Sequence, residues 1–285
     1  MKISAFTFIK NGIILGYPFI ESIHSVLPIV DEFIINVGRS EDKTLDTIRA
    51  IKSDKIRIIQ SEWNDKILDR GYVYGQQKMI AQFNCSGDWV FYVEGDEVYH
   101  ENELQKIKNS METYLHDTKV EALVFNFMHF YGNANSVLNS PGWYRSEARI
   151  IKNSIRSYAP DGLFWLVLDS NKKGRYPRAK HTKATCYHYG WLRSESQMNL
   201  KSSMVNKYWG SDPALIDYSQ MDQEIIQEFL GSHPQIMNDW LPKAEGLYIV
   251  NPNYELTKKQ KKHRLMIKLE NFFKVDLSKK HYKLI

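Results

Sequence analysis

The stretch Trp89-Val90-Phe91-Tyr92-Val93-Glu94-Gly95-Asp96-Glu97 decides the fold. Its first five residues are aromatic or β-branched and predict a buried strand. Three carboxylates follow at the end of that strand, where open α/β sheets bind their ligands. Because side chains two residues apart point to the same side of an extended chain, Glu94 and Asp96 can together hold Mg²⁺ or Mn²⁺ against a phosphate. The alternative is an acidic loop that caps the next helix.

Strands and helices alternate on both sides of this stretch. Strands are predicted over 3–9, 32–37, 55–60, 89–93 and 122–130, and helices over 16–27, 43–51, 73–83 and 103–115. This alternation predicts an α/β fold with a mostly parallel sheet flanked by helices. After residue 130 the pattern is rich in turns. Short strands are predicted over 149–151 and 164–168, irregular chain through 187, and helices over 197–209 and 218–230.

We therefore divide the chain into three parts. Residues 1–130 form the α/β domain, residues 131–256 form a looped region of the same fold that shapes a site, and residues 257–285 form a basic helical tail. The size and composition, 285 residues with 43% hydrophobic, suit one large domain or one domain with an appendage.

Composition also bears on the compartment. The two cysteines, Cys85 and Cys186, indicate neither a disulfide framework nor a cysteine zinc site, which suits a reducing compartment. Lys10 interrupts the apolar N-terminus, so a signal peptide is not predicted. No uncharged run reaches the length of a membrane span. These features predict a cytoplasmic protein.

The basic charge is concentrated in the tail. Residues 257–285 contain ten Lys or Arg and two acidic residues, a net charge of +8, whereas the whole chain carries +5 and the remainder −3. One interpretation is a basic amphipathic helix that lies on the anionic inner face of a membrane. The other is a terminal helix docked on the protein with its lysines solvated, which would bury Leu265, Leu269 and Phe272. The apolar residues at 272–277 favour docking, because a soluble protein normally covers such surface.

Four sequence blocks resemble family 2 glycosyltransferases of the GT-A fold, nearest to the bacterial branch that builds lipopolysaccharide cores and other surface glycans. The blocks are Thr7-Phe8-Ile9-Lys10-Asn11, Asp31 to Ile35 with Ser40-Glu41-Asp42-Lys43-Thr44, Gly71 with Gln76-Gln77-Lys78, and Gly87-Asp88-Trp89 leading into Glu94-Gly95-Asp96-Glu97. They occur in the family's order and at its spacing. Three looser blocks follow at 129–132, 143–149 and 188–191. The chain departs from the family at Val37, where an Asp usually contacts the base, and at Glu94, where an Asp is usual.

The resemblance implies a glycosyltransferase that moves a sugar from a nucleotide-sugar donor to a glycan or lipid-linked acceptor. The reaction would be metal-dependent, with inversion at the anomeric carbon, in surface polysaccharide or lipopolysaccharide synthesis. A divalent ion, Mn²⁺ or Mg²⁺, would neutralise the leaving diphosphate. Its ligands would be Asp96, Glu94 and His188, although His188 is equally well explained as a buried histidine bonded to the backbone. The donor would contact Thr7, Lys10, Asn11, Asp42, Lys78, Glu94 and Lys201.

The catalytic base is predicted to be a carboxylate in the looped middle, either Glu147 or Asp161. A carboxylate held close to the acceptor hydroxyl can remove its proton. Glu147 is alternatively a structural ion-pair partner of Arg145 or Arg149. Asp161 lies between Pro160 and Gly162, so turn formation explains it equally well.

Two other classes of function compete with this one. A sugar nucleotidyltransferase also uses an α/β sheet and a metal-binding Asp, but the glycine-rich phosphate loop expected after its first strand is absent here. A non-enzymatic basic protein that binds a membrane or nucleic acid is disfavoured, because the charge is confined to the tail and no nucleic-acid motif occurs. No nucleic-acid partner is predicted.

Overall fold

The computed structural model describes residues 1–244, 251 and 253–285. The strands in these residues are β1 (Ile3–Ile9), β2 (Glu32–Gly38), β3 (Ile56–Ser61), β4 (Trp89–Tyr92), β5 (Glu97–Tyr99), β6 (Ala122–Tyr131), β7 (Asn133–Leu138), β8 (Ser146–Lys152), β9 (Ser157–Tyr158), β10 (Leu166–Leu168), β11 (Gly174–Arg175), β12 (Arg178–Trp191), β13 (Ile226–Glu228) and β14 (Lys283–Leu284). The α-helices are α1 (Phe19–Val26), α2 (Thr44–Arg49), α3 (Tyr72–Gln82), α4 (Leu104–Tyr114), α5 (Glu195–Val205), α6 (Leu241–Ala244) and α7 (Lys258–Phe273).

Eleven of the strands in the described residues form one sheet, with β3-β2-β1-β4-β8-β6-β7-β13 along its main path. The strands β3, β2, β1 and β4 are all parallel. The antiparallel strand β8 separates β4 from β6. The long strand β12 runs parallel to β6 and also pairs with β5 and β14. The predicted α/β fold with a mostly parallel sheet flanked by helices is confirmed.

Alternation along β1 shows how the sheet separates two apolar layers. Ile3, Ala5 and Ile9 face one core with α1 and α4, whereas Phe6 faces a second core with α3 and Trp165. This pattern follows from the two-residue period of a strand that is covered on both sides.

The middle of the chain is more ordered than its sequence indicated. The segment predicted to be irregular contains β12, a strand of 14 residues. The predicted helix over 218–230 is wrong, because this segment forms a 3₁₀ turn at Gln223–Ile225 and the short strand β13. Ile226 and Glu228 pair with β7, so the backbone satisfies its hydrogen bonds in the sheet instead. The proposed boundary at residue 130 falls within β6, so the following strands continue the same sheet.

The helical tail is docked, but by a different face from the one expected. Thr257 and Gln260 form a reciprocal capping box that starts α7. On the inner face of the helix, Glu270 binds both terminal nitrogens of Arg145 at 2.6 and 2.9 Å. Arg264 binds both carboxylate oxygens of Asp222 at 2.7 and 2.9 Å. The expectation that docking would bury Leu265, Leu269 and Phe272 is wrong, since these side chains are exposed.

Candidate functional site

A cavity of about 460 Å³ lies at the carboxyl ends of β1 and β4. Its walls come from both halves of the chain, because α5, β12 and the segment that precedes β8 also line it. Its lining includes Lys10, Asn11, Trp63, Asp65, Tyr74, Glu94, Asp96, Trp143, Tyr144, His188, Trp191, Lys201, Tyr208 and Trp209. This is the position at which α/β sheets bind ligands.

Asp96 is the acidic centre of the cavity. Its Oδ2 lies 3.3 Å from Nζ of Lys201 and 3.9 Å from a terminal nitrogen of Arg193. Burial alone would raise the pKa of Asp96, but the ammonium of Lys201 and the guanidinium of Arg193 hold it well below its ordinary value. Asp96 is therefore ionised at neutral pH.

The hydrogen bonds around two histidines fix which nitrogen of His188 faces Asp96. Nε2 of His129 lies 2.7 Å from the carbonyl oxygen of Tyr144, which only accepts, so this nitrogen carries the proton. Burial lowers the pKa of His129 to about 4, so the ring is neutral and its Nδ1 accepts. Nδ1 of His188, 2.9 Å away, must then donate to it. Burial also holds the pKa of His188 well below its ordinary value, which leaves Nε2 unprotonated.

The unprotonated Nε2 of His188 lies 3.7 Å from the Oδ1 of Asp96. Two electron-pair donors thus face each other in a buried site, and a cation between them would satisfy both. Gly190 permits this approach, because a Cβ at that position would lie 2.6 Å from Nε2 of His188 and 3.0 Å from Oδ2 of Asp96. The residues therefore fit a divalent metal ion, with His129 orienting the histidine ligand.

Glu94 and Glu97 have a different environment from Asp96. Arg149 donates from NH2 to Glu97 at 2.6 Å and to Glu94 at 3.0 Å. Arg149 and Glu97 are fully buried, whereas the side chain of Glu94 is 21% exposed and reaches the cavity. Burial, followed by the charge of Glu97, raises the pKa of Glu94 to about 8. Of the three acids predicted at the strand end, Glu97 is therefore part of a structural ion cluster.

Two aromatic groups border the cavity. The first joins Trp63, Tyr74, Tyr208 and Trp209 in a chain of ring contacts with centroids 5.1 to 5.8 Å apart. It lies beside Lys10, at the ends of β1 and β3. The second contains Trp143 and Trp191, whose ring centroids are 5.2 Å apart, together with Tyr144. Flat apolar faces of this kind suit nucleobases and sugar rings.

The structure brings three of the predicted donor-binding residues besides Glu94 to the cavity: Lys10, Asn11 and Lys201. Lys10 lies 3.6 Å from Asp65, and the side-chain oxygen of Asn11 accepts from the backbone of Glu41 at 2.8 Å. Burial lowers the pKa of Lys201 to about 8, against the raising effect of Asp96. Lys201 therefore remains a cation close to neutral pH.

The other three predicted donor-binding residues do not line the cavity in the described chain. Lys78 is fully buried, and its ammonium lies 4.0 and 3.9 Å from the ring centroids of Tyr92 and Trp165. Asp42 accepts from the backbone of Ile13 and Ile14 at 3.0 and 2.8 Å, so it holds the loop after β1. Thr7 is buried within that strand. Packing and loop closure account for these three residues.

The two candidate bases differ in position. Glu147 is buried, its Oε2 lies 2.5 Å from Nδ1 of His281, and it is not among the cavity residues of the described chain. Asp161 is half-buried and directly precedes Gly162 and Leu163, which line the cavity. Its Oδ1 accepts from the backbone of Leu163 at 2.8 Å, as expected for a turn. Neither alternative partner suggested for Glu147 is present, because Arg145 and Arg149 bind other acids.

Sequence reasoning missed several residues of the site. Arg149 was considered only as a partner of Glu147, and Arg193 was not considered. His129, whose Nδ1 lies 2.9 Å from Nδ1 of His188, was not among the predicted ligands. The aromatic residues at 63, 74, 208 and 209 gave no signal, because they come together only when α3 and the end of α5 pack against the sheet. For Arg193, the nearby histidine block was the only available signal.

No protein-family model and no curated protein matches this sequence. Among solved structures, TarS from S. aureus is similar with a TM-score of 0.43 and 15% identity, over 72% of this chain and 40% of that one. Its fragment 1–349 in complex with UDP-GlcNAc gives 0.42 and 15%, over 66% and 58%. Glucosyl-3-phosphoglycerate synthase from Mycobacterium tuberculosis, in complex with Mn²⁺ and UDP-glucose, gives 0.32 and 20%, over 45% and 44%. This chain thus spans less than two thirds of each of these chains, and scores this low carry no argument about its activity.

Proposed function

We propose that this protein is a glycosyltransferase that uses a nucleotide-sugar donor and a divalent metal ion. The observation that carries the proposal is the unprotonated Nε2 of His188 facing the ionised Asp96, in a cavity at the carboxyl ends of parallel strands. Among the described residues no three His, Cys, Asp or Glu side chains converge on one point. A metal ion that keeps several water ligands and binds diphosphate oxygens needs only one or two protein ligands.

Different residues of this chain would contact the ion, the diphosphate, the nucleotide and the donor sugar. Asp96 and His188 would hold it, and Mn²⁺ or Mg²⁺ there would neutralise a leaving diphosphate. Lys201 lies beside Asp96 and would contact diphosphate oxygens. Lys10 and the aromatic group around Trp63 would position the nucleotide at the end of β1. Glu94, held by Arg149, would face the donor sugar.

The acceptor would enter on the opposite side, against Trp143, Tyr144 and Trp191. We retain Asp161 as the proposed base, since its neighbours line the cavity and its carboxylate is not held by a cation in an ion pair of the described chain. Glu147 is the weaker candidate, because His281 occupies its carboxylate. A glycan or lipid-linked acceptor in surface-polysaccharide or lipopolysaccharide synthesis, with inversion of the sugar, completes the proposal.

Titration of Mn²⁺ by electron paramagnetic resonance tests the metal site directly. The wild-type protein should bind Mn²⁺, more tightly with a nucleoside diphosphate present, and His188→Ala should weaken that binding at least tenfold. Asp65→Asn is the matched control, since this cavity acid pairs with Lys10 and not with His188. Equal Mn²⁺ affinity in His188→Ala and wild type would falsify the metal assignment.

A product assay separates the enzyme classes. With Mn²⁺ and a panel of nucleotide-sugars, the proposed transferase releases a nucleoside diphosphate. A sugar nucleotidyltransferase would instead form or consume pyrophosphate, and a non-enzymatic protein would release neither. Asp161→Asn and Glu147→Gln should then be compared at saturating donor. We expect Asp161→Asn to lose on the order of 100-fold in turnover with little change in nucleotide affinity, because a base acts on the acceptor.

A further inference from the structure

The outward face of α7 carries large apolar side chains that the described protein leaves uncovered. Residues three, four and seven apart share one face of a helix, and this spacing relates Leu265, Leu269 and Phe272. Their exposed fractions are 58%, 40% and 79%, and that of the adjacent Phe273 is 61%. The chain that follows adds exposed Val275 and Leu277. We call this set the apolar face.

Lysines surround the apolar face. Lys258, Lys261 and Lys262 continue it toward the start of the helix, and Lys268 flanks it; all four are exposed. Exposed Lys274 and Lys279 follow the helix. The surface therefore has an apolar half and a cationic half on one side of a single helix.

The two acids of the tail do not offset this charge. Glu270 points inward and binds Arg145 through both oxygens. Asp276 is paired with Arg145 and with Lys280. The outward surface is therefore cationic, and the two negative charges of the tail are already paired.

We propose that this face docks on an anionic lipid surface. Lysines with exposed Phe and Leu on one face are the combination that binds at the boundary between headgroups and acyl chains. A second copy of the chain would bring two cationic faces together, which disfavours self-association. Nucleic acid would use the lysines but would leave Leu265, Leu269, Phe272 and Phe273 in water. The proposal goes beyond the proposed activity and does not depend on it.

The inner face of α7, opposite the apolar face, packs beside residues that line the cavity. Ile267 packs against the same hydrophobic cluster as Trp143 and Trp191, which line the cavity. The ring of His263 covers Gly142, next to Trp143, so closely that a Cβ there would lie 2.3 Å from its Cε1. Docking through the outer face would therefore hold the second aromatic group near the membrane surface, where a lipid-linked molecule can reach it.

Sedimentation with vesicles tests the proposal on the full chain. The protein should pellet with vesicles of phosphatidylcholine containing about one third phosphatidylglycerol, and not with phosphatidylcholine alone. Each lysine near such a surface changes partitioning about fivefold, so Lys258→Gln/Lys261→Gln/Lys262→Gln should reduce it on the order of 100-fold. The charge-matched control is Lys52→Gln/Lys108→Gln/Lys119→Gln, whose lysines are also exposed. Added salt should release the wild-type protein.

The apolar half is tested with Leu265→Ser/Leu269→Ser/Phe272→Ser. This variant should lose at least tenfold in partitioning at unchanged melting temperature, since these side chains are exposed in the free protein. The control is Leu215→Ser/Leu230→Ser, which alters two side chains that are each 85% exposed elsewhere. Equal pelleting of both tail variants and wild type overturns the proposal. So does binding of phosphatidylcholine alone, or a concentration-dependent dimer that only the Ser variant abolishes.

Discussion

Two neighbouring carboxylates, Asp96 and Glu97, end up in opposite environments. Glu97 is fully buried and accepts three hydrogen bonds from Arg149 within 2.9 Å. Asp96 faces a cavity, where its cations lie at 3.3 Å or more and an unprotonated histidine nitrogen faces one of its oxygens. Close, complete pairing is typical of a structural ion cluster, whereas loose pairing beside open space is typical of a ligand site. The ion-pair partners of the two acids therefore distinguish their roles, whereas their positions in the sequence do not.

The largest effect on stability should come from breaking the buried ion cluster of Arg149, Glu97 and Glu94. Arg149→Met leaves Glu97 and Glu94 without their cation, and an unpaired buried charge costs about 3–5 kcal/mol of folding free energy. Urea unfolding monitored by circular dichroism measures this loss. The double variant Glu97→Gln/Arg149→Met should recover part of it, because it also removes the buried carboxylate that Arg149 compensates. If Arg149→Met unfolds at the wild-type urea concentration, the distinction between the two clusters fails.

The ion cluster around Asp96 faces the cavity, and substitution there should lower activity more than stability. Asp96→Asn keeps the shape of the side chain but removes the charge proposed to hold the metal ion, so transfer should fall on the order of 100- to 1000-fold. Its urea midpoint should change less than that of Arg149→Met, since Lys201 borders the cavity and water can reach it. The readout is release of nucleoside diphosphate with Mn²⁺ present. Near-normal transfer by Asp96→Asn, or full wild-type activity in a chelator, would contradict the metal role.

The first half of the sheet was predictable from sequence, because each strand there is a short apolar run between helical segments. The parallel pairing of β1 and β2 and the carboxyl-end position of Asp96 follow from that alternation. The strand β12 was missed, since its polar residues such as Lys180, Lys183 and His181 conceal the alternation. Its pairing partner β6 begins more than fifty residues earlier, and local pattern does not reveal such long-range pairing.

The site was only partly predictable for the same reason. Asp96, His188 and Lys201 were identified individually, but the tautomer of His188 depends on His129 and on a backbone carbonyl. Lys78 is predicted to contact the donor because the block Gly71 with Gln76-Gln77-Lys78 resembles the family helix that runs past the diphosphate. Its burial between Tyr92 and Trp165 became visible only once β4 and α3 were packed together.

The pH dependence of folding stability distinguishes the buried pair His129 and His188 from exposed histidines. The pKa of His129 is about 4 in the folded protein, against an ordinary value of 6.5, so the folded state resists protonation. As the pH falls below 6.5, the unfolded chain binds the proton and stability is lost, about 2 kcal/mol by pH 5. Above about pH 7.5 this histidine contributes almost no slope, because it is neutral in both states. His129→Gln should therefore flatten the dependence of the urea midpoint on pH between 6.5 and 5.

The control for this titration is His116→Gln, whose side chain is exposed. It should leave the acid limb of the stability curve unchanged. A slope in His129→Gln equal to that of wild type would show that His129 does not remain neutral in the folded protein. The tautomer assigned to His188 would then lose its support. So would the conclusion that an unprotonated Nε2 of His188 faces Asp96.

The smallest expected effect concerns the second aromatic group, which borders the cavity beside His129. Trp143→Leu keeps an apolar side chain against the hydrophobic cluster below it but removes the flat face proposed for an acceptor sugar. An aromatic contact of this kind is worth about 0.5–1.5 kcal/mol, so the KM for the acceptor should rise roughly two- to tenfold with kcat and nucleotide affinity nearly unchanged. Trp209→Leu, in the first aromatic group, is the matched comparison and should instead weaken the nucleotide. If both variants change the same kinetic constant, the two aromatic groups do not separate donor from acceptor, and the acceptor must approach Asp96 along another wall of the cavity.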